Sequence, residues 1–432
     1  MSGEPADLLI IGGGMAGLAA GARAAEAGAR TIVAEKGSAV GGSAAMAAGI
    51  LWTAPDFPTI RAVAPAGDPH LGRALVDGFR PAVEWVRAMG VTLSEPWTGQ
   101  FGFGVGCRVD IKALLAALRD RIERTGGTVL LQAAGRKVLQ ERDGAVNGAC
   151  VVTPDGDEEI RAGAVLLATG GFQGSAEMVA TVIGPAARNM LVRSNANSTG
   201  DGLRIGRAAG AALTPDNDGF YGHLLPSPLA ELRPDQYLPL TQYYSNRCLL
   251  VNLEGKRFTD ESLGDDVSNQ AVLRQPMSRA ILLCDEDVHL NFAASAPYPH
   301  GQVLDRIHAA EGAGGHVARA RTIDALIGAL ESWGVHGANL RQTLEDRGAG
   351  HLKRAPFYAV EVQPSITFPF AGLVVDGDGR VLDDTGQAIP GLFAAGADAG
   401  GVQHRRYVGG LALGLVFGPR AAEAALGVRA SR

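Results

Sequence analysis

Gly12, Gly14 and Gly17 stand at the spacing Gly-x-Gly-x-x-Gly directly after the apolar run Leu8 to Ile11. A small-residue stretch, Leu18 to Ala27, follows and stops at Gly28. A second apolar run, Thr31 to Ala34, ends on Glu35-Lys36. Strand, glycines, helix, strand and acid in that order are suited to holding a pyrophosphate. Gly12 permits the tight turn, Gly14 lets backbone approach phosphate, and Gly17 lets helix and strand pack closely. The helix N-terminus offers N–H groups and a positive dipole end. Glu35 suits a ribose diol. Other residues with chemical capacity are scattered. Asp260, Glu261, Asp265 and Asp266 crowd the charged stretch 255–266, which by composition alone reads as a solvated loop. His223, His404 and Tyr407 are proton carriers by type. Both histidines are equally compatible with ordinary loop positions.

Those residues need a scaffold, and the chain has length for one. With 432 residues, two or three domains are expected. The net charge of −6 carries no footprint for nucleic acid or anionic lipid. Gly is 60 of 432, about twice the usual share, without a Gly-x-y period, which fits close backbone packing around a ligand and many tight turns. Cys107, Cys150, Cys248 and Cys284 form no Cys-x-x-Cys pair, against a metal knuckle, an iron–sulfur site or a redox disulfide. Buried thiols in a reducing compartment are expected. No signal-like segment and no bilayer-length apolar run is found, so a cytoplasmic protein without membrane insertion is expected.

Apolar spacing predicts helices over about 70–89 and 109–125, with Gly126-Gly127 stopping the second. Strands are expected at 128–131, 146–152 and 164–171, the last ending in glycines. Asn197 to Gly202 precedes a helix at 203–209. Trp97, Phe101 and Phe103 lie in a Gly-rich loop, as core or as pocket lining. From about 214 prolines and aromatics replace periodicity. A hairpin around Asp376 to Gly379, a strand 389–396 and a helix from Gly409 to about 425 return to the opening style. The expected domains are 1–217 and 366–432 together, and 218–365 inserted between them.

These motifs, in this order, resemble the fumarate reductase/succinate dehydrogenase flavoprotein superfamily, which includes the 3-ketosteroid dehydrogenases. They are the opening fingerprint, Gly41-Gly42-Ser43, Ala168 to Gly171, Asn197 to Gly202, Gly255-Lys-Arg-Phe258, Gly391 to Gly396 and Gly409-Gly410. The resemblance implies an α/β fold: a Rossmann-like FAD-binding domain with an inserted α+β capping domain. It implies that Gly12, Gly14, Met15, Ala16 and Gly17 hold the pyrophosphate and that Glu35, with Lys36, serves the adenosine ribose. Gly41, Gly42 and Ser43 lie along the isoalloxazine. Ala134, Thr169, Gly170 and Asp201 line the cofactor, Gly396, Ala397 and Asp398 the ribityl side. Ala412 and Leu413 offer backbone N–H groups to the pyrimidine edge. Members that bind flavin covalently use a His near Ser43. None lies between Gly37 and Pro69, so non-covalent FAD is expected.

The chain departs from the dicarboxylate enzymes of the family where they bind substrate. Their Arg eight residues after Arg257 is Asp265 here. Their His-Thr-x-Gly-Gly is Phe368-Pro-Phe-Ala-Gly372, and their Asn-Arg-x-Gly-Gly is Arg406-Tyr407-Val-Gly-Gly410. Tyr407 matches a ketosteroid dehydrogenase tyrosine that donates to a carbonyl. The resemblance then implies desaturation of a ketone or reduction of an enone on a small apolar carbonyl-containing substrate. Tyr407 polarises the carbonyl, Asp265 moves the α-proton, and FAD N5 takes or gives the hydride. His404 is an alternative acid or base, and His223 another, from the capping domain. Other readings stay open: an FAD-dependent oxidase of an amine or alcohol, a carboxylate ene-reductase using Arg406 (with Arg405 beside it), and a flavin subunit that only passes electrons. The electron acceptor or donor is not legible.

Overall fold

The structure is a computed structural model and describes residues 4–299, 301–346 and 352–427. The chain forms two compact units. The first holds Met1–Ile183, Ser194–Phe220 and Phe368–Arg432, and the second Gly184–Arg193 and Tyr221–Thr367. The boundaries expected at 218 and 365 thus fall at 221 and 367, and the segment 184–193 joins the second unit. Its reason is long-range: Leu191 and Val192 pair in parallel with Ser365 and Ile366.

In the first unit, eight of the described strands form one sheet, and Ile50–Thr53, Gly104–Arg108 and Trp97–Gln100 form a separate three-stranded one. The main order of the larger sheet is Arg380–Leu382, Ala388–Ala394, Gly156–Leu167, Ala6–Ile11, Thr31–Ala34, Thr128–Leu130. The pairs around Ala6–Ile11 are parallel, and Ile11 lies between Leu167 and Ala34. Leu8 to Ile11 are essentially inaccessible to solvent, as a parallel strand covered on both faces requires. The first helix, Met15–Glu26, begins three residues earlier than its small-residue run suggested. Ala134–Gln140, a strand that periodicity did not reveal, pairs antiparallel with Val146–Thr153. The helices Pro69–Ala88 and Ile111–Arg124 follow their apolar spacing, each capped by an Asp side chain, Asp68 and Asp110.

In the second unit, Phe357–Ile366 pairs antiparallel with Ala280–Cys284, with Leu224–Pro226 and with Val317–Ala320. Leu249–Asn252 completes this side next to Ala280–Cys284. Leu250, Leu282 and Val360 face one apolar cluster, and Val251, Ile281, Leu283 and Ala359 face another. Both faces of the sheet are covered, so its strands show no apolar–polar alternation. All four cysteines are buried and free. Among the described residues, no group of acids, histidines and cysteines is arranged to hold a metal, and no helix is long and apolar enough to cross a membrane.

Candidate active site

The glycine turn after Ile11 is built as the fingerprint requires. A Cβ on Gly17 would lie 1.9 Å from the carbonyl oxygen of Gly12, so only glycine lets this helix cross the strand end. A Cβ on Gly14 would meet nothing within 4 Å, which leaves open space at the helix N-terminus. Met15 and Ala16 are buried at the helix start, where Ala16 packs on Gly418 of the last helix. Glu35 is buried, and its carboxylate accepts from the Gly13 N–H at 2.8 Å and the Gly37 N–H at 2.6 Å. Each oxygen keeps further lone-pair capacity for a hydroxyl. Gly41 donates its N–H to Gly13, and Ser43 accepts from the Asn195 N–H, so the Gly41-Gly42-Ser43 turn borders the fingerprint. Ala134 is half-buried at the start of its strand. Lys36 pairs with Asp201 at 2.6 Å and reaches the Thr199 hydroxyl at 3.1 Å. Open space at a helix N-terminus, flanked by a strand-end acid and paired glycine turns, fits a dinucleotide cofactor.

Three residues expected at the cofactor are enclosed or engaged by the chain's own groups. Asp398 is fully buried and has no surface for a ribityl chain. Its carboxylate accepts from the Thr169 hydroxyl at 3.1 Å, the Gly171 N–H at 3.0 Å and the Thr169 N–H. It therefore shapes the turn through Thr169 and Gly170, and the Gly202 N–H donates to the same Thr169 hydroxyl. Burial pushes the Asp398 carboxyl up, while those N–H groups oppose the shift. Leu413 cannot offer its N–H, because it already donates to the Gly409 carbonyl at 3.0 Å. Ala412 is likewise fully buried. Gly396 and Ala397 are only partly covered.

Tyr407 sits among aromatic rings of the same unit. Trp52, Phe101 and Phe368 lie with ring centroids 5.2, 5.4 and 5.9 Å from it. Phe101 stacks on Trp52 at 5.0 Å, and Phe103 meets Trp52 edge-on at 5.7 Å. Two glycines make this packing possible. A Cβ on Gly409 would sit 1.9 Å from the Trp52 carbonyl oxygen, and one on Gly410 would sit 2.9 Å from the Phe368 ring. The Gly410 N–H donates to the Tyr407 oxygen at 2.9 Å, which aligns the phenol as a donor. Arg406 lies over the Phe103 ring at 5.3 Å. His404 is half-buried, three residues before Tyr407.

The second unit holds the acid–base residues. Asp265 opens the helix Asp265–Leu273, where an acid suits the positive helix end. It is not a solvated loop acid: Glu261, Asp265 and Asp266 are all buried. Asp265 accepts from the Nδ1–H of His223, which fixes the proton on that nitrogen. His223 Nε2 is thereby the acceptor, at 2.7 Å, of the Tyr221 hydroxyl. Ser365 holds the His223 backbone from both sides, and Asn269 of the Asp265 helix holds Ser365. Burial pushes the His223 imidazole down. The Asp265 carboxylate opposes that shift and Arg193 adds to it. Arg193 donates to the Thr241 hydroxyl at 3.0 Å and to the Tyr243 hydroxyl at 2.9 Å. Sequence reasoning passed over Tyr221. Its spacing from His223, two residues in extended chain, was the available signal.

A model described as FAD binding domain matches residues 7–413. A fumarate reductase (cytochrome) of Shewanella frigidimarina is 28% identical and aligns with 98% of this chain and 77% of its own. A vinyl phenol reductase of Lactiplantibacillus plantarum is 24% identical over 93% of this chain and 91% of its own. Among solved structures, a 3-ketosteroid Δ4-(5α)-dehydrogenase of Rhodococcus jostii superposes with a TM-score of 0.78 at 21% identity, over 98% of this chain and 97% of that one. The match of the family model over nearly the whole chain, on the glycine turns just described, makes this chain a member of the FAD-binding family within the fumarate reductase/succinate dehydrogenase flavoprotein superfamily, an FAD-dependent oxidoreductase.

Proposed function

We propose that this protein acts on a carbon–carbon bond next to a carbonyl, desaturating a ketone or reducing an enone, in a neutral and largely apolar substrate. The observation that carries this is the aromatic setting of Tyr407, with Trp52, Phe101 and Phe368 around its ring and the Gly410 N–H donating to its hydroxyl. Flat apolar groups are favoured by such surroundings. Tyr407 donates to the carbonyl oxygen and stabilises charge as it develops there. Asp265, through its paired His223, handles the α-proton. Bound FAD supplies hydride transfer at the β carbon. The residues proposed to hold it, without a covalent link, are those of the Gly12–Gly17 turn, Glu35, Lys36, Gly41 to Ser43, Ala134, the Thr169–Gly170 turn, Asp201 and Gly396-Ala397.

Relatives named as reductases of fumarate, urocanate and vinyl phenol, and neighbours named as ketosteroid dehydrogenases, support chemistry at such a bond. A second reading is a carboxylate ene-reductase using Arg406, favoured by its position over Phe103 within the same aromatic group. The two are separated by a panel. Reduced holoenzyme is mixed anaerobically with cyclic enones, cinnamate, urocanate and fumarate, and flavin reoxidation is followed by absorbance. Reoxidation by enones alone supports the first. Reoxidation by carboxylates alone, lost in Arg406→Ala, replaces it with the second.

A further inference from the structure

We propose that Tyr221 is the residue that exchanges a proton with the substrate's α carbon, and that His223 and Asp265 are the relay behind it. This rests on the carbonyl chemistry proposed above and names its acid–base group.

The wiring follows from three contacts. A carboxylate accepts only, so Asp265 fixes the proton on His223 Nδ1. Nε2 then presents a lone pair, and the Tyr221 O–H at 2.7 Å donates to it. The three groups form a line in which a proton arriving at the phenol oxygen displaces the phenol's own proton onto Nε2. Asp265 is poorly placed to meet substrate directly. One of its oxygens is held by the imidazole, and the other lies 3.4 Å from the Leu224 N–H and from the Ser245 hydroxyl. Of the three residues Tyr221 has the most surface, 9% against 1% for His223 and 6% for Asp265. The same logic of hydroxyl, imidazole and carboxylate activates serine in hydrolases.

In the desaturation direction the α C–H bond breaks and an O–H bond forms at Tyr221. The electron pair of the C–H bond passes to the carbonyl as enolate. The former Tyr221 proton forms an N–H bond at Nε2, and the imidazolium is stabilised by Asp265. The enolate's electron pair then forms the double bond as the β-hydrogen leaves as hydride to FAD. In the reducing direction each transfer runs backward. The groups facing the imidazole are Asp265, Tyr221, Tyr243 (ring centroid at 5.0 Å) and Arg193. Arg193 disfavours a resting imidazolium, which keeps Nε2 available.

The test uses reduced holoenzyme and 2-cyclohexenone in stopped-flow, beside 15N-histidine spectra of the same protein. Tyr221→Phe slows flavin reoxidation by about 10²- to 10⁴-fold and leaves the half-saturating enone concentration within about two-fold. Asp265→Asn slows it comparably, and the double variant is no slower than the worse single, because the residues act as one unit. The basic limb of the pH–rate profile, where the proton-donating relay loses its proton, disappears in Tyr221→Phe. Wild-type His223 shows a protonated Nδ1 and an accepting Nε2, and Asp265→Asn reverses the two. A purely structural Tyr221 would leave the pH profile in place and make the double variant multiplicative, which overturns the proposal. So would a neutral wild-type imidazole carrying its proton on Nε2 instead of Nδ1, or a Tyr221→Phe enzyme reoxidised at the wild-type rate. If wild-type flavin is reoxidised by no enone at all, the carbonyl reading falls and this proposal with it. That outcome is distinct from an active wild type with an unaffected Tyr221→Phe.

Discussion

Replacing Tyr407 by Phe removes one oxygen and leaves the ring. The contacts to Trp52, Phe101 and Phe368, at 5.2 to 5.9 Å between centroids, survive the change. What is lost is the acceptor of the Gly410 N–H, 2.9 Å away at the start of the last helix. That N–H sits where a helix has unpaired donors in any case, so the cost to folding is about 1 kcal/mol. For a chain this long the melting temperature falls by no more than about 3 °C. The catalytic loss is larger. The phenol aims a hydrogen bond at an oxygen whose negative charge grows as the α-proton leaves or the hydride arrives. Removing one such donor costs about 10² to 10³ in rate, or roughly 3 to 4 kcal/mol. The interaction strengthens in the transition state, so kcat carries most of the loss and KM little. Flavin content, melting temperature and single-turnover reoxidation by 2-cyclohexenone are read on one preparation. A Tyr407→Phe enzyme with full flavin and a rate within about three-fold of wild type refutes the role of this hydroxyl.

Gly17→Ala places a Cβ 1.9 Å from the Gly12 carbonyl oxygen. Overpacking at this crossing destabilises by about 1–3 kcal/mol or more and distorts the phosphate turn, so flavin per chain, read by absorbance, falls well below wild type. Glu361 is fully buried in the central strand of the second unit, where it pairs with Arg279 and His316. Glu361→Ala removes the partner of the Arg279 guanidinium and the His316 imidazole, both partly exposed and able to turn to water, so denaturant unfolding shows a loss of about 1–3 kcal/mol. Its probe is Trp333, stacked on His316 at 5.3 Å. His223 is held neutral by burial, with its folded pKa below the unfolded value near 6.5. The stability this gives is present above about pH 6.5. It is lost as pH falls, because the unfolded state takes the proton first. Wild type therefore loses up to about 1.4 kcal/mol per pH unit more than His223→Gln in that window, measured by denaturant midpoints.

The opening motif was legible because each of its parts is local: a buried strand, glycines where a Cβ collides or leaves space, and an acid at a strand end. The ends of Pro69–Ala88 and Ile111–Arg124 were legible for the same reason, through apolar spacing. Asp265 was singled out by position, but its state was not legible. Four acids within seven residues look solvated, and the partner that buries Asp265 lies 42 residues away in sequence. Tyr221 was hidden by its setting in a proline-rich stretch without periodicity, although Tyr-x-His is the spacing of one face of an extended chain. The move of 184–193 into the second unit depends on a parallel pairing with Ser365 and Ile366, which no local pattern announces. Asp398 was expected at the cofactor only because the family resemblance places a ribityl contact there. Its oxygens instead hold the neighbouring Thr169–Gly171 turn, a contact 227 to 229 residues distant.

The central claim is that the site prefers a neutral carbonyl compound over a dicarboxylate. The direct measurement is the second-order rate of anaerobic flavin reoxidation in the reduced holoenzyme, with 2-cyclohexenone and with fumarate side by side. Reoxidation is expected with the enone, and none above background with fumarate. Faster reoxidation by fumarate than by the enone would contradict it.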